Sequence, residues 1–499
     1  MVLPAGLTQY VVTGPRNIAK VFRAEGMHAT LSHVIAMERS FGISPRGLAL
    51  YAADDSGFGA QPQPQSKVDP ENRVLYQIHN LVNQNLAGSS LSVITEKFQE
   101  FLATELSSIE AIGPDWTDVP DLGEFLQVHV MSAALKAMFG TYILSLNPTF
   151  IDDFWAWNPE MGTLFMGLPK WLAPSIYEKR ERVLQNIMRW HDYAHAHFDC
   201  HKVADEDPAW EPYFGSKFSR KRQALFSRWE AMDKRSRAAE DMSFIWASNA
   251  NSVGGSIWFL LELLLDPALQ DRMMNEFRSA MVHPKSSTSV PTFNVDRLTS
   301  GALCQSVYAE TLRLRVAIMI GRKAKYDMDF SGWFVKENET VAISNTIEAM
   351  DTSIWNTGTE GDPHPLETFW ADRFLIYPGD KTSGPVKRQL ASENSSKETE
   401  TIEIERNDPA PSPAPQFSVK GVGNSWVPFS GGPRHCPGRH FAKQEMILVA
   451  AMVMSAFEIE LKVEPGWRPK NDTKYFGFGT MPPSGIIPCR IRRRTQIGV

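Results

Sequence analysis

Cysteine is scarce in this 499-residue chain: Cys200, Cys304, Cys436 and Cys489 are the only four, and they lie far apart. That spacing excludes a disulfide framework and a Cys-x-x-Cys metal knuckle, so a cysteine that does chemistry here does it alone. An excess of positive charge is also lacking. With 51 Lys+Arg against 57 Asp+Glu the formal charge is −6, which excludes the global basic field that nucleic-acid binders use. Long apolar runs are missing too. Met446 to Met454, and Leu260 to Leu265 with Glu262 inside it, fall short of the roughly 18–20 residues that cross a bilayer. The start, Met1-Val2-Leu3-Pro4-Ala5-Gly6, has neither the charged nor the apolar region of a secretory signal. What is present, 43% apolar and 22% charged residues, is the composition of a packed globular protein.

Length alone suggests about three domains, but there is no internal repeat and little linker. The chain reads as one large domain over 1–499, mainly α with minor β (α+β). Gln9 to Thr13 reads as a strand, and Asn17 as the cap of a helix containing Ile18, Val21 and Phe22. Residues 54–70 and 283–292 read as loops. The longest helical signal, about 239–265, is apolar on most sides and therefore buried. Asp266-Pro267 caps and opens the next helix, and a further helix spans about 299–315. Residues 330–335 and 340–343 read as a hairpin pair. Residues 379–420, rich in proline and with acidic residues from Glu393 to Glu405, read as a flexible surface insertion. Arg490, Arg492, Arg493 and Arg494 read as the solvated end of a strand.

The most informative segment runs from Phe429 to Ala442: Phe-Ser-Gly-Gly-Pro-Arg-His-Cys-Pro-Gly-Arg-His-Phe-Ala. Gly431, Gly432 and Gly438 let the backbone turn sharply and approach a large flat partner. Cys436 precedes an apolar helix, whose dipole and free N–H groups stabilise a thiolate, and Arg434 adds positive charge. Such a thiolate suits the axial position of a haem iron. The segment resembles the haem-binding loop of cytochrome P450, Phe-x-x-Gly-x-Arg-x-Cys-x-Gly. Phe429, Gly432, Arg434, Cys436 and Gly438 fill every fixed position. Cys200, Cys304 and Cys489 lack this setting and read as packing.

The resemblance extends outward from the loop. Glu310 and Arg313 match the family's Glu-x-x-Arg, and Arg373, in Phe369-Trp370-Ala371-Asp372-Arg373-Phe374, matches its third partner, with Ala371 and Asp372 as departures. A buried ion network of these residues behind the haem is implied. Arg322 and Arg434 are the implied partners of the haem carboxylates; the family's Trp-x-x-x-Arg helix is not found, and His79 or Asn83 is a substitute. On the buried helix, Ser248, Asn249, Asn251 and Ser252 are polar groups that need partners and mark a cavity or ligand. Most P450s place an acid and a threonine here to relay protons on the oxygen side; this chain has Ala250 and Asn251. Ala-Ser-x-Ala-Asn resembles the branch of sterol 7α-hydroxylases, with prostacyclin synthase more distant. Asn251 and Ser252 are therefore the expected catalytic residues, and Tyr475 to Pro483 resembles the family turn that enters the substrate pocket.

The resemblance implies a haem-thiolate monooxygenase of fungal secondary-metabolism type, with Cys436 as iron ligand and haem b as cofactor. One oxygen atom from O2 would enter a C–H bond of a bulky apolar small molecule, a sterol or terpenoid first. Electrons would come from NADPH through NADPH–cytochrome P450 reductase. Location at the endoplasmic reticulum membrane surface is implied, although the usual anchor and the first helix and strand are missing from the start of the chain. The alternatives are a haem-thiolate isomerase or dehydratase needing neither O2 nor a reductase, which Asn251 keeps open, and a non-catalytic haem-binding protein. His191 and His195 have zinc-compatible spacing but lack the acid of His-Glu-x-x-His and read as an exposed helix end. Lys217 to Arg237 reads as a solvated basic face, or as a docking patch for an acidic redox partner.

Overall fold

The computed structural model describes residues 9–24, 26–200, 203–204, 206–282, 290–330, 332–387 and 414–494. A long helix, Lys234–Leu264, runs through the centre. It packs against Arg439–Ala456, Pro174–His197, Leu122–Phe139 and Ala302–Arg315. The helix starts where Asp233 accepts from the Ser236 N–H at 2.9 Å, a turn and a half earlier than the apolar pattern begins, because its first turns are polar. It ends before Asp266, which caps the following helix Pro267–Ala280 through the Leu269 N–H at 3.0 Å, as expected. Buried Trp157, Trp190 and Trp258 lie in the same continuous core, and burial of side chains this large contributes about 1.5–3 kcal/mol each.

The β structure is peripheral. One sheet has the order Gln9–Val11, Thr340–Ser344, Met319–Ala324, Met27–His28, the first pair parallel and the others antiparallel. A second joins Phe457–Leu461, Cys489–Arg493 and Thr117–Val119. The C-terminal arginines lie on or just after the middle strand of this sheet; Arg490 pairs with Glu460 and Arg492 with Glu458, while Arg493 and Arg494 donate to backbone carbonyls rather than standing solvated.

Four local expectations are corrected. The first helix, Pro15–Arg23, begins after Gly14 with proline at its first position; Asn17 lies inside it and donates to Thr13 O at 3.1 Å. The segment around 330–335 is itself a hairpin, Met328–Phe330 with Trp333–Val335, whereas Thr340–Ser344 pairs with Met319–Ala324. The helix expected from 299 is divided into Val295–Ser300 and Ala302–Arg315 by Gly301. The proposed insertion is narrower than 379–420. Gln416–Phe417 pairs with Leu375–Ile376, and Asn356 Nδ2 donates to Thr382 O at 2.8 Å and to Gly384 O at 2.7 Å. Residues 388–413, with the acidic run, and residues 283–289 of the expected 283–292 loop lie outside the described residues.

Candidate active site

The loop carrying Cys436 is shaped by its own sequence. Cys436 N–H donates to Phe429 O at 3.0 Å and His435 N–H to Gly432 O at 3.0 Å, which folds the segment back on itself. Gly432 adopts φ +66, and a Cβ there would stand 2.6 Å from Phe22 O, so no other residue fits. Gly438 is different. It has φ −79 and caps the helix Arg439–Ala456, so the sharp turn expected of it falls at Gly432 and Ser430 (φ +60) instead. A Cβ on Gly438 would sit 3.8 Å from Cys436 Sγ, on the flank of the sulfur. Burial pushes the Cys436 thiol up, opposed by the Gly438 and Arg439 N–H groups and by the charges of Arg439 and Arg434. Phe429 packs on the main core beside Trp426.

Next to this loop is a cluster of cationic groups without a matching acid. Burial lowers Arg322 to about 10, and burial with the charge of Arg322 lowers Arg434 to about 10. Arg434 stacks on Phe58 with its guanidinium carbon 3.8 Å from the ring centroid. Arg322 donates to Ser430 Oγ at 3.3 Å and Gly431 O at 3.2 Å. Burial and then Arg434 hold His33 down to about 3 and His79 down to about 4. Among the described residues no carboxylate neutralises Arg322 or Arg434. A buried guanidinium, Arg322, and a half-buried one, Arg434, without counter-charge fit a partner that brings its own carboxylates. The flank of Cys436 kept open by Gly438 fits a flat partner. Of the two substitutes expected on the helix Val74–Asn85, His79 is the one placed at this cluster; His33 and Phe58 carry no sequence signal of their own.

Behind the loop the expected ion network is assembled. Arg313 donates to Glu310 through Nε at 2.7 Å and Nη2 at 2.8 Å, and Arg373 Nε donates to Glu310 at 3.0 Å. All three side chains are fully buried. Remaining donors go to carbonyls: Arg313 to Ala349 and Leu366, Arg373 to Asn356, Pro365 and Thr368. Asp372, a departure from the family pattern, instead binds Arg272 at the surface.

The polar break in the long helix resolves unevenly. Ser248 Oγ donates to Ile245 O, Asn249 Nδ2 to Ile245 O, and Ser252 Oγ to Ser248 O at 2.9 Å, so these three spend bonds within their own helix. Asn251 is the exception. Its Oδ1 accepts the Thr480 N–H at 2.8 Å, and the approach needs glycine beside it, since a Cβ on Gly479 (φ +142) would stand 2.0 Å from that oxygen. The turn Tyr475 to Pro483 therefore meets the oxygen-side helix, and Phe478, Trp246, Met161 and Ala250 line a small recess with Asn251.

Other candidates separate from this site. His191 is buried rather than exposed; it bonds Asp241 at 2.8 Å, and Arg222 donates to the same carboxylate at 3.0 and 3.1 Å. Among the described residues no three ligand-type side chains converge as a metal site. Within 217–237 the solvated-face reading fails for Arg220 and Arg222, which are buried among Phe198, Phe218, Phe226 and Phe244. Cys200 and Cys489 are buried, and burial pushes both thiols up to about 12.

A lone cysteine before a buried helix, a guanidinium pair without a matching acid and a buried Glu–Arg–Arg network thus lie around one loop. The family model for cytochrome P450 matches residues 68–365 and 416–489. The chain is 39% identical to cytochrome P450 monooxygenase fsoE of Humicola fuscoatra over 99% of this chain and 81% of that protein. It is 36% identical to cytochrome P450 monooxygenase efuG of Hormonema carpetanum, over 98% and 82%. A more distant relative is cholesterol 7-alpha-monooxygenase of Cricetulus griseus, 24% identical over 89% and 79%. Among solved structures, the cytochrome P450DA heme domain superposes with a TM-score of 0.63 at 13% identity, covering 99% of this chain and 89% of that one. The chain belongs to the cytochrome P450 family and is a P450 monooxygenase. The family carries haem.

Proposed function

We propose that this chain hydroxylates a C–H bond of a bulky apolar secondary metabolite, a sterol or terpenoid, with Cys436 as the thiolate that would hold haem b. The observation that carries the reading is the placement of Cys436 at the N-terminal end of a buried helix, beside Arg434 and Arg322 without counter-charge. Bound there, haem supplies reductive activation of O2 with electrons from an NADPH-dependent reductase. Arg322 and Arg434 would hold its carboxylates, with His79 and His33 beside Arg434, and Glu310, Arg313 and Arg373 fix the framework behind. Asn251 orients a donor amide on the oxygen side, since its carbonyl oxygen is taken by Thr480. Phe165 and Phe478, in edge contact at 5.6 Å, supply apolar substrate contacts. The relative named cholesterol 7-alpha-monooxygenase supports a sterol-sized substrate.

For location we infer the endoplasmic reticulum membrane surface. Met166, at the end of the helix Met161–Met166, and Trp171 and Leu172, in the connection after it, are 79%, 81% and 57% exposed, which supports contact with lipid. No single helix among the described residues is long and apolar enough to cross a membrane.

Incubating the protein with candidate sterols and terpenoids, with and without NADPH and reductase, tests the reading. Hydroxylated product only with both supports it. Turnover without electrons would establish the second reading, a haem-thiolate isomerase, which Ala250 and Asn251 favour because the usual acid and threonine are absent.

A further inference from the structure

Asn158, Trp246 and Tyr475 border the recess that also holds Asn251, and they come from three separate parts of the chain. The other side chains around them, Pro159, Met161, Ala250 and Phe478, are apolar. A Cβ on Gly162 would stand 3.3 Å from the Phe478 ring, so that ring lies close against the helix Met161–Met166. Polar groups on an apolar wall cost free energy unless each meets a partner, and in a ligand pocket they set its orientation.

Their bonds can be followed one by one. The Trp246 Nε1–H is given to Asn158 Oδ1 at 2.9 Å. The acceptor end of that carboxamide is therefore taken, and its NH2 donates to the Tyr475 hydroxyl. The Tyr475 oxygen thus accepts, while its own O–H goes to no acceptor among the described residues. Burial, then the charges of Asp472 and Glu160, keep that phenol protonated. Asn251 Oδ1 is already occupied by the Thr480 N–H. The side-chain carbonyl oxygens of the recess are spent, and a neutral donor is left over. The free space beside it is about 10 Å³, room for one small group. A lone donor in such a corner fits a single oxygen acceptor. The nearby charges of Asp472 and Glu160 disfavour a carboxylate there, which leaves an uncharged hydroxyl or ketone oxygen.

We propose that Tyr475, held by Asn158 and Trp246, donates a hydrogen bond to a hydroxyl or ketone oxygen that the substrate already carries when it binds. This rests on the monooxygenase reading and deepens it: the substrate is a sterol or terpenoid that has been oxygenated before it reaches this enzyme. The bond orients the ring system, so that one carbon rather than several lies at the Asn251 end of the recess. A reaction that installs an oxygen function on the carbon skeleton must therefore precede this one.

The test follows the haem absorbance shift as the loaded protein is titrated with two pairs of probes. Each pair is an alcohol and the hydrocarbon lacking its hydroxyl, one built on cholesterol and one on lupeol. The wild type is expected to bind the alcohol of at least one pair roughly 5–100-fold more tightly, since the hydrocarbon leaves a buried donor unpaired. Tyr475→Phe is expected to bring the alcohol down to the hydrocarbon's affinity and to leave the hydrocarbon unchanged; a merely structural tyrosine would weaken both alike. With NADPH and reductase, the alcohol gives one hydroxylated product in the wild type and a mixture in Tyr475→Phe. Trp246→Phe, which releases the Asn158 carboxamide, is expected to lose part of the same discrimination and decides the matter if Tyr475→Phe fails to load haem. Equal affinity of the wild type for both members of each pair, or equal weakening of both in the variants, would overturn the proposal and leave the monooxygenase intact. A wild type that binds neither pair would overturn the sterol or terpenoid reading and the proposal with it.

Discussion

Asn251 and Thr480 are joined across 229 positions of sequence by one hydrogen bond, from the Thr480 N–H to Asn251 Oδ1 at 2.8 Å. The bond takes the acceptor end of the carboxamide and leaves its NH2 as the donor for chemistry on the oxygen side.

Replacing Asn251 by Ala strands a partly buried N–H, which costs about 1–3 kcal/mol. Asn251→Asp keeps the acceptor and most of the stability but loses the donor. Denaturant titration is expected to separate the two variants, and peroxide release during NADPH oxidation is expected to rise in both. Equal stability of Asn251→Ala and wild type would remove the link.

The Glu310 network is expected to be intolerant. Arg373→Ala or Glu310→Gln leaves a buried charge with part of its pairing, a loss of about 3–5 kcal/mol. The expected outcome is a large fall in the haem-loaded fraction and in urea midpoint. Arg313→Lys gives a similar result, because lysine cannot replace the two-pronged contact to Glu310 at 2.7 and 2.8 Å.

Arg322→Ala and Arg434→Ala are each expected to speed haem loss to a scavenging apoprotein by roughly 10–100-fold, the equivalent of one charged hydrogen bond. His79→Ala is expected to have a smaller effect in the same direction. Unchanged loss rates would contradict the carboxylate-binding role of the cluster.

The histidine pair on Pro174–His197 predicts acid sensitivity rather than metal dependence. Burial, then His191 and Arg237, lowers His195 to about 4 from its ordinary 6.5. The unfolded chain binds the proton more tightly, so the stability tied to neutral His195 is present above pH 6.5 and is lost as pH falls toward 4. His195→Gln is expected to flatten that part of the stability curve. Zinc or chelator is expected to leave the melting temperature unchanged.

The legible parts of the sequence were those whose signals are local. The cysteine loop is one unbroken string whose turns depend on neighbours within it, such as Phe429 and Gly432. Glu310 and Arg313 share a helical face, but it took the family pattern to mark them, with Arg373, as a buried network. What stayed hidden depends on distant elements. His33 and His79 gain meaning only where the chain brings Arg434 near both. Arg220 and Arg222 misled for the same reason: a basic stretch reads as solvated unless the rings of Phe198, Phe226 and Phe244 are known to enclose it.

The most direct test of the account is the carbon monoxide difference spectrum of the reduced protein in four single variants. The haem-thiolate band should vanish in Cys436→Ser and persist in Cys200→Ser, Cys304→Ser and Cys489→Ser. A thiolate band retained in Cys436→Ser would contradict the assignment of the ligand and the reading built on it.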